Sequence, residues 1–225
     1  MKTGIVVFPG SNCDRDCGRA VQKITGREPV YLWHKDADLK GCEAVILPGG
    51  FSYGDYLRCG AIARYSPIMK SVMDEARRGL PVLGICNGFQ ILAECGLLPG
   101  VLMRNRGLKF ICRTVSVKLE NSKTFFTRFG QIEKSYRLPI AHMEGNYFLE
   151  KDEIKKLEDA GQVVFRYVDE NGEATEDGNP NGAQHNIAGI CNKASNVVGL
   201  MPHPERVCED LLGGTDGRFV FEGLI

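Results

Sequence analysis

The segment Pro81-Val82-Leu83-Gly84-Ile85-Cys86-Asn87-Gly88-Phe89-Gln90 begins as a short apolar run and passes into Gly-x-Cys-x-Gly. Residues 81–85 read as a buried strand, and residues 89–95 as a helix closed by Gly96. The cysteine between them occupies the nucleophile's place in a nucleophile elbow, with sulfur instead of a serine hydroxyl. The two glycines have a steric reason. A tight strand-to-helix turn brings the backbone on either side of Cys86 together and leaves no room for a Cβ. The same turn sets the sulfur at a helix N-terminus, whose partial positive charge favours thiolate over thiol. The competing account, a structural cysteine beside two turn glycines, leaves both glycines, the strand and the helix to coincidence.

On the N-terminal side the chain alternates strand and helix. Residues 4–8 are an apolar run ending in Pro9-Gly10-Ser11-Asn12, and an amphipathic stretch follows over 14–24. Residues 29–33 and 44–47 are further strands, the second running into the turn Pro48-Gly49-Gly50. Residues 61–78 show helical spacing and close at Gly79. Strands separated by helices mean crossover units and a mostly parallel sheet. Beyond the elbow, residues 110–119, 136–141, 162–168, 186–191 and 196–201 read as strands, with one helix over 152–159. Residues 169–182, rich in Asn, Gly, Asp and Glu, read as an exposed loop or hairpin tip. Without repeats or linker-like stretches, residues 1–225 are expected to form a single α/β domain whose parallel sheet carries an antiparallel extension.

Composition narrows the function. The 225 residues hold 28 Lys plus Arg against 28 Asp plus Glu, so no charge excess draws the chain to nucleic acid or an anionic membrane. Hydrophobic residues at 43% and charged residues at 25% exclude a disordered or fibrous chain. The longest apolar runs, such as Ile5-Val6-Val7-Phe8, fall far short of the ~20 residues of a membrane span. No signal-peptide pattern opens the sequence. Nine cysteines, an odd number without any Cys-x-x-Cys, point to reduced thiols in the cytoplasm rather than disulfides or a zinc ribbon. Most are expected to be small buried hydrophobes.

A thiolate nucleophile needs a proton carrier, and there are four histidines. His203 lies in Met201-Pro202-His203-Pro204-Glu205-Arg206, 117 residues after Cys86. Two prolines fix the backbone around it, and residues two apart in extended chain project to one side, so Glu205 is placed to orient the imidazole. His34 and His185 read as surface residues. His142, just after a strand in Ala141-His142-Met143-Glu144-Gly145-Asn146-Tyr147, is left open between lining the site and packing. The strand-end Leu47-Pro48-Gly49-Gly50 can aim the Gly50 N–H into a crevice, and the Asn87 N–H is the second candidate donor for an oxyanion. The sequence has no P-loop, no Gly-x-Gly-x-x-Gly and no His-Glu-x-x-His, so it is equipped for thiol acyl chemistry and for nothing that uses ATP.

Taken together, Gly-Ile-Cys-Asn-Gly-Phe-Gln, the late His-Pro-Glu and the strand-end Pro-Gly-Gly resemble a class I (Cys-His-Glu triad) glutamine amidotransferase domain. Several longer segments are similar to the glutaminase subunits of the phosphoribosylformylglycinamidine synthase family. These are residues 7–14, 47–58, 109–113, 201–206 and Gly213-Gly214-Thr215-Asp216-Gly217. Met143 departs from that pattern, standing where Gly is expected. The resemblance implies a flavodoxin-like three-layer α/β/α domain. It implies hydrolysis of L-glutamine to glutamate and ammonia by Cys86, His203 and Glu205, with Gly50 and Asn87 as the oxyanion hole and Gln90 in contact with substrate. It also implies a free-standing subunit without a cofactor or metal, which delivers ammonia to a separate synthetase binding ATP and Mg, often with a small accessory subunit. The synthetase would convert formylglycinamide ribonucleotide to the amidine in purine biosynthesis. The alternative is a DJ-1-like protein whose elbow cysteine serves redox sensing or protein quality control, and a third is an inactive binding module. The DJ-1-like reading leaves His203-Pro204-Glu205 and the Pro-Gly-Gly loop without a role.

Overall fold

Four short runs, nearly all apolar, are too brief and too β-branched for helices: β1 (Thr3–Val7), β2 (Val30–Trp33), β3 (Ala44–Leu47) and β4 (Val82–Ile85). The computed structural model, which describes residues Met1–Ile225, pairs them in parallel with β11 (Val197–Leu200) in the order β2-β1-β3-β4-β11. Being buried on both faces, β3, β4 and β11 have no polar alternation. The helices α1 (Asp14–Thr25), α2 (Pro67–Arg77) and α3 (Asn87–Glu94) form the crossovers. The chain moves one way from β1 to β2 and the other way from β3 to β4. Right-handed connections therefore put α1 and α2 on opposite faces, which makes the three layers. The short C-terminal helix α5 (Arg218–Glu222) packs on α1.

The sheet continues antiparallel through β10 (Ile187–Cys191), β9 (Val163–Val168), β6 (Ile111–Leu119) and β7 (Ser135–His142). From β4 to β7 there are five strand steps, about 24 Å if the sheet were flat. Yet the Cys86 Sγ, just past β4, lies 3.9 Å from the Ala141 carbonyl oxygen in β7. The antiparallel half therefore curls back over the carboxyl ends of the parallel strands, as accumulated strand twist allows. The expected mixed architecture is present, with an extension of four strands.

Several local expectations are corrected. The helix expected over 61–78 is two pieces, a single 3-10 turn at Ala63–Tyr65 and α2. Ser66 before Pro67 is extended at ψ 141°, because a proline ring pushes its predecessor out of the helical region. The strand pair β5 (Val101–Met103) and β8 (Asn146–Phe148) was not anticipated. The helix α4 (Lys151–Asp159) is where it was expected. Residues 169–182 lie between β9 and β10 and are exposed or half-buried, except that Asn181 is buried and anchors the loop through Gly145 O at 2.8 Å. All nine cysteines are free; Cys112 alone is exposed.

Candidate active site

Four strand ends converge at the carboxyl edge of the parallel sheet. Cys86 follows β4 with φ 51° and ψ −106°, a conformation that a non-glycine residue holds only when its surroundings force it. The forcing groups are those the sequence pointed to. A Cβ on Gly84 would lie 2.7 Å from the Gly88 carbonyl carbon, and one on Gly88 would lie 2.0 Å from the Leu47 carbonyl oxygen of β3. The helix begins at Asn87 rather than at residue 89, because the turn leaves no spacer between nucleophile and helix.

His203 follows β11 and is buried. Its N–H donates to Pro139 O at 2.8 Å, tying the turn to β7. The ring Nδ1 meets Glu205 Oε1 at 2.6 Å, while Nε2 has no partner within the protein. Burial alone would pull the imidazole pKa down. The Glu205 carboxylate, and after it the Cys86 and Cys13 sulfurs, reverse this and hold it well above the usual histidine value. Gly49 makes the room: a Cβ there would sit 2.7 Å from His203 Cε1.

Gly50, at φ 149°, bridges to Ser11, and a Cβ on it would lie 2.7 Å from Asn12 N. The Asn87 N–H belongs to the first turn of α3, where N–H groups have no intrahelical acceptor. The Asn87 side chain locks the two donors' segments together, accepting from Ser52 N at 3.1 Å and donating to Gln90 Oε1 at 2.9 Å. Gln90 is buried and in turn donates to Glu144 O at 2.6 Å, so it joins α3 to the loop between β7 and β8.

Two site features escaped the sequence reading, and a third, His142, was left open. His34 is not a surface residue: it is buried against Tyr53, whose hydroxyl lies 2.5 Å from its Nδ1 and 2.8 Å from Ser66 Oγ. His142 does line the region. Asn105, fully buried, donates to Lys109 O and His142 O, each at 2.9 Å, and its Oδ1 accepts from Gly145 N at 3.1 Å. That fixes the amide orientation, so His142 Nδ1, 3.1 Å from the same Oδ1, is the donor and Nε2 carries the lone pair. Burial and then the His203 charge push His142 down to about 4, so it is neutral at physiological pH. Met143 has no positive φ and points outward, which is why a side chain fits there. The other feature that escaped is Cys13, which precedes α1 with its Sγ 3.9 Å from His203 Nδ1 and 3.0 Å from Arg206 Nη2. His185, as expected, is exposed.

Residues 1–213 match the CobB/CobQ-like glutamine amidotransferase domain family. The chain belongs to that family. Among curated relatives of this amidotransferase is the phosphoribosylformylglycinamidine synthase subunit PurQ of Chlorobaculum tepidum, 61% identical over 224 residues, covering 100% of this chain and 96% of that one. The protein of the same name from Synechocystis is 56% identical, with 97% of each chain covered. Among solved structures, PurLQS from Thermotoga maritima superposes at a TM-score of 0.87 with 45% identity, over 99% of this chain and 96% of that one. The glutaminase domain of Trypanosoma brucei CTPS with bound acivicin shares the fold, at a TM-score of 0.62 and 13% identity over 100% of this chain and 92% of that one. The resemblance read from the motifs is thereby borne out, and no helix is long and apolar enough to cross a membrane.

Proposed function

We propose that this amidotransferase is the glutaminase subunit of a phosphoribosylformylglycinamidine synthase, a single catalytic domain spanning residues 1–225 and working through Cys86, His203 and Glu205. The observation that carries the reading is a buried imidazole that turns one nitrogen to Glu205 at 2.6 Å and keeps the other without a protein partner, in the niche of the elbow sulfur. Cys86 Sγ attacks the side-chain carboxamide carbon of L-glutamine, and the oxyanion rests on the Gly50 and Asn87 N–H groups. As the tetrahedral adduct collapses, the C–N bond breaks and His203 gives its proton to the departing ammonia. His203 then takes a proton from water as that water attacks the glutamyl thioester, releasing glutamate and the thiolate. Gln90 forms part of the wall that meets the substrate. Its carboxamide bridge from Asn87 to the Glu144 carbonyl supports a role in holding that wall together.

The names of the relatives and of the Thermotoga complex support a separate synthetase and a further small subunit as partners. The synthetase would hold ATP and Mg, and nine free cysteines fit a reducing cytoplasm. The deciding experiment uses the assembled complex. Cys86→Ala should abolish amidine synthesis from glutamine and leave synthesis from added ammonium intact. Glutaminase activity surviving in that variant would remove Cys86 from the mechanism.

A further inference from the structure

We infer that Arg206, seated on the Cys13 sulfur, is a positioning residue that keeps Glu205 charge-paired through the catalytic cycle and sets the pH range of the reaction. The inference rests on the reading of Cys86, His203 and Glu205 given above.

Glu205 is 1% exposed, and a buried carboxylate is tolerated only beside positive charge. In the proposed mechanism His203 supplies that charge for only part of the cycle, because the imidazole is neutral after it protonates ammonia. Arg206 Nε lies 4.0 Å from the same Glu205 Oε1 that holds His203 and 3.6 Å from Asp16 Oδ2. Its Nη2 donates to Cys13 Sγ at 3.0 Å. The sulfur is itself fixed: Cys13 N donates to Gly49 O at 3.1 Å, and a Cβ on Gly49 would be 3.2 Å from Cys13 Sγ. Cys13 therefore seats the guanidinium beside the Glu205–His203 pair.

The groups facing His203 and Glu205 come from four elements. The elbow brings Cys86 and β7 brings His142; α1 and the residue before it bring Asp16, Cys17, Arg19 and Lys23, and Cys13. The turn itself brings Arg206 and Cys208. Arg206 is the one permanent cation within 4.0 Å of the Glu205 carboxylate. A fixed positive charge lowers the proton affinity of every neighbour, so its removal moves each titration to higher pH. A cavity of about 280 Å³ lined by Arg206, Arg19 and Lys23 admits water behind the guanidinium, which keeps the effect moderate.

The test is the pH profile of ammonia release from glutamine by the full chain with its synthetase partners. Arg206→Gln should move both the acid and the alkaline limb upward by about half to one pH unit. Arg206→Lys, which keeps the charge but not the planar fork, should leave the limbs in place and lower kcat/KM a few-fold. Cys13→Ala, which removes the seat, should move the limbs part of the way, and Cys13→Ser should restore them; this pair decides the matter if Arg206→Gln does not fold. A fall in rate with both limbs unmoved, or equal displacement in the Gln and Lys variants, would overturn the inference. Wild-type complex that releases no ammonia would instead overturn the functional reading on which it rests.

Discussion

The Cys86 elbow and the loop over residues 50–57 both hold backbone in sparsely populated conformations, but by different means. The elbow is packed: residues 82–92 are all buried, and Gly88 lies so close to β3 that no side-chain atom fits. The loop places Tyr53, Asp55 and Leu57 at φ 54°, 54° and 70°, with Tyr56 73% and Leu57 93% exposed. It is held by hydrogen bonds from Phe51 N to Gly10 O at 2.9 Å and from Tyr53 N to Pro9 O at 2.7 Å, and by the Tyr53 hydroxyl. Strain held by packing is lost all at once. Strain held by hydrogen bonds is lost by degrees, and the loop is accordingly the part of the proposed oxyanion hole able to adjust.

The largest effect expected from breaking this contrast is at the elbow. Gly88→Ala should cost roughly 3–5 kcal/mol or prevent folding, since both the helix and β3 must move; denaturant unfolding measures it. A variant with wild-type stability would show that the elbow is not held by packing. The turn from β7 to β8 lies between the two cases, being hydrogen-bonded through Asn105 and buried at His142 and Gly145 but exposed at Met143. His142 is neutral in the folded protein down to about pH 4 and takes up a proton near pH 6.5 when unfolded. Over that window the unfolded state binds the extra proton, so stability is present above it and falls as the pH drops. The loss should be about 2–3 kcal/mol between pH 7 and pH 4.5, and His142→Gln should remove it; equal acid losses in the two proteins would assign the proton elsewhere. His203, with its pKa raised, acts in the opposite sense, and its contribution fades as the pH rises through its folded value. The smallest effect is at the exposed loop. Tyr53→Phe removes the hydroxyl that joins His34 to Ser66, a local loss of about 1 kcal/mol. Amide exchange over residues 51–57 should quicken several-fold with little change in melting temperature, and unchanged exchange would show that the hydroxyl does not hold the loop.

Legibility in the sequence tracks the range of each interaction. Gly84, Cys86 and Gly88 lie two residues apart, and so do His203 and Glu205, so chain geometry alone places them. Pro67 was visible, but the helical spacing on either side of it concealed the break at Ser66. Three-residue strands such as β5 and β8 are too short to show a period. His34 read as surface because its partner Tyr53 lies 19 residues away, beyond β3. The Asn105 hub reaches His142 and Gly145 at 37 and 40 residues' distance, and Arg206 reaches Cys13 at 193, where no local pattern can report them.

What the residues determined by themselves is a sulfur at a strand-to-helix turn and an imidazole beside a carboxylate, because sterics and alternation act over a few bonds. That these two halves meet was decided by tertiary structure. Parallel pairing sets β4 beside β11, and the curl of the antiparallel strands lays β7 over both, with the Cys86 sulfur near Ala141 O and His203 N on Pro139 O. Sheet twist and burial act over the whole molecule, and they alone make one site from four separate strand ends.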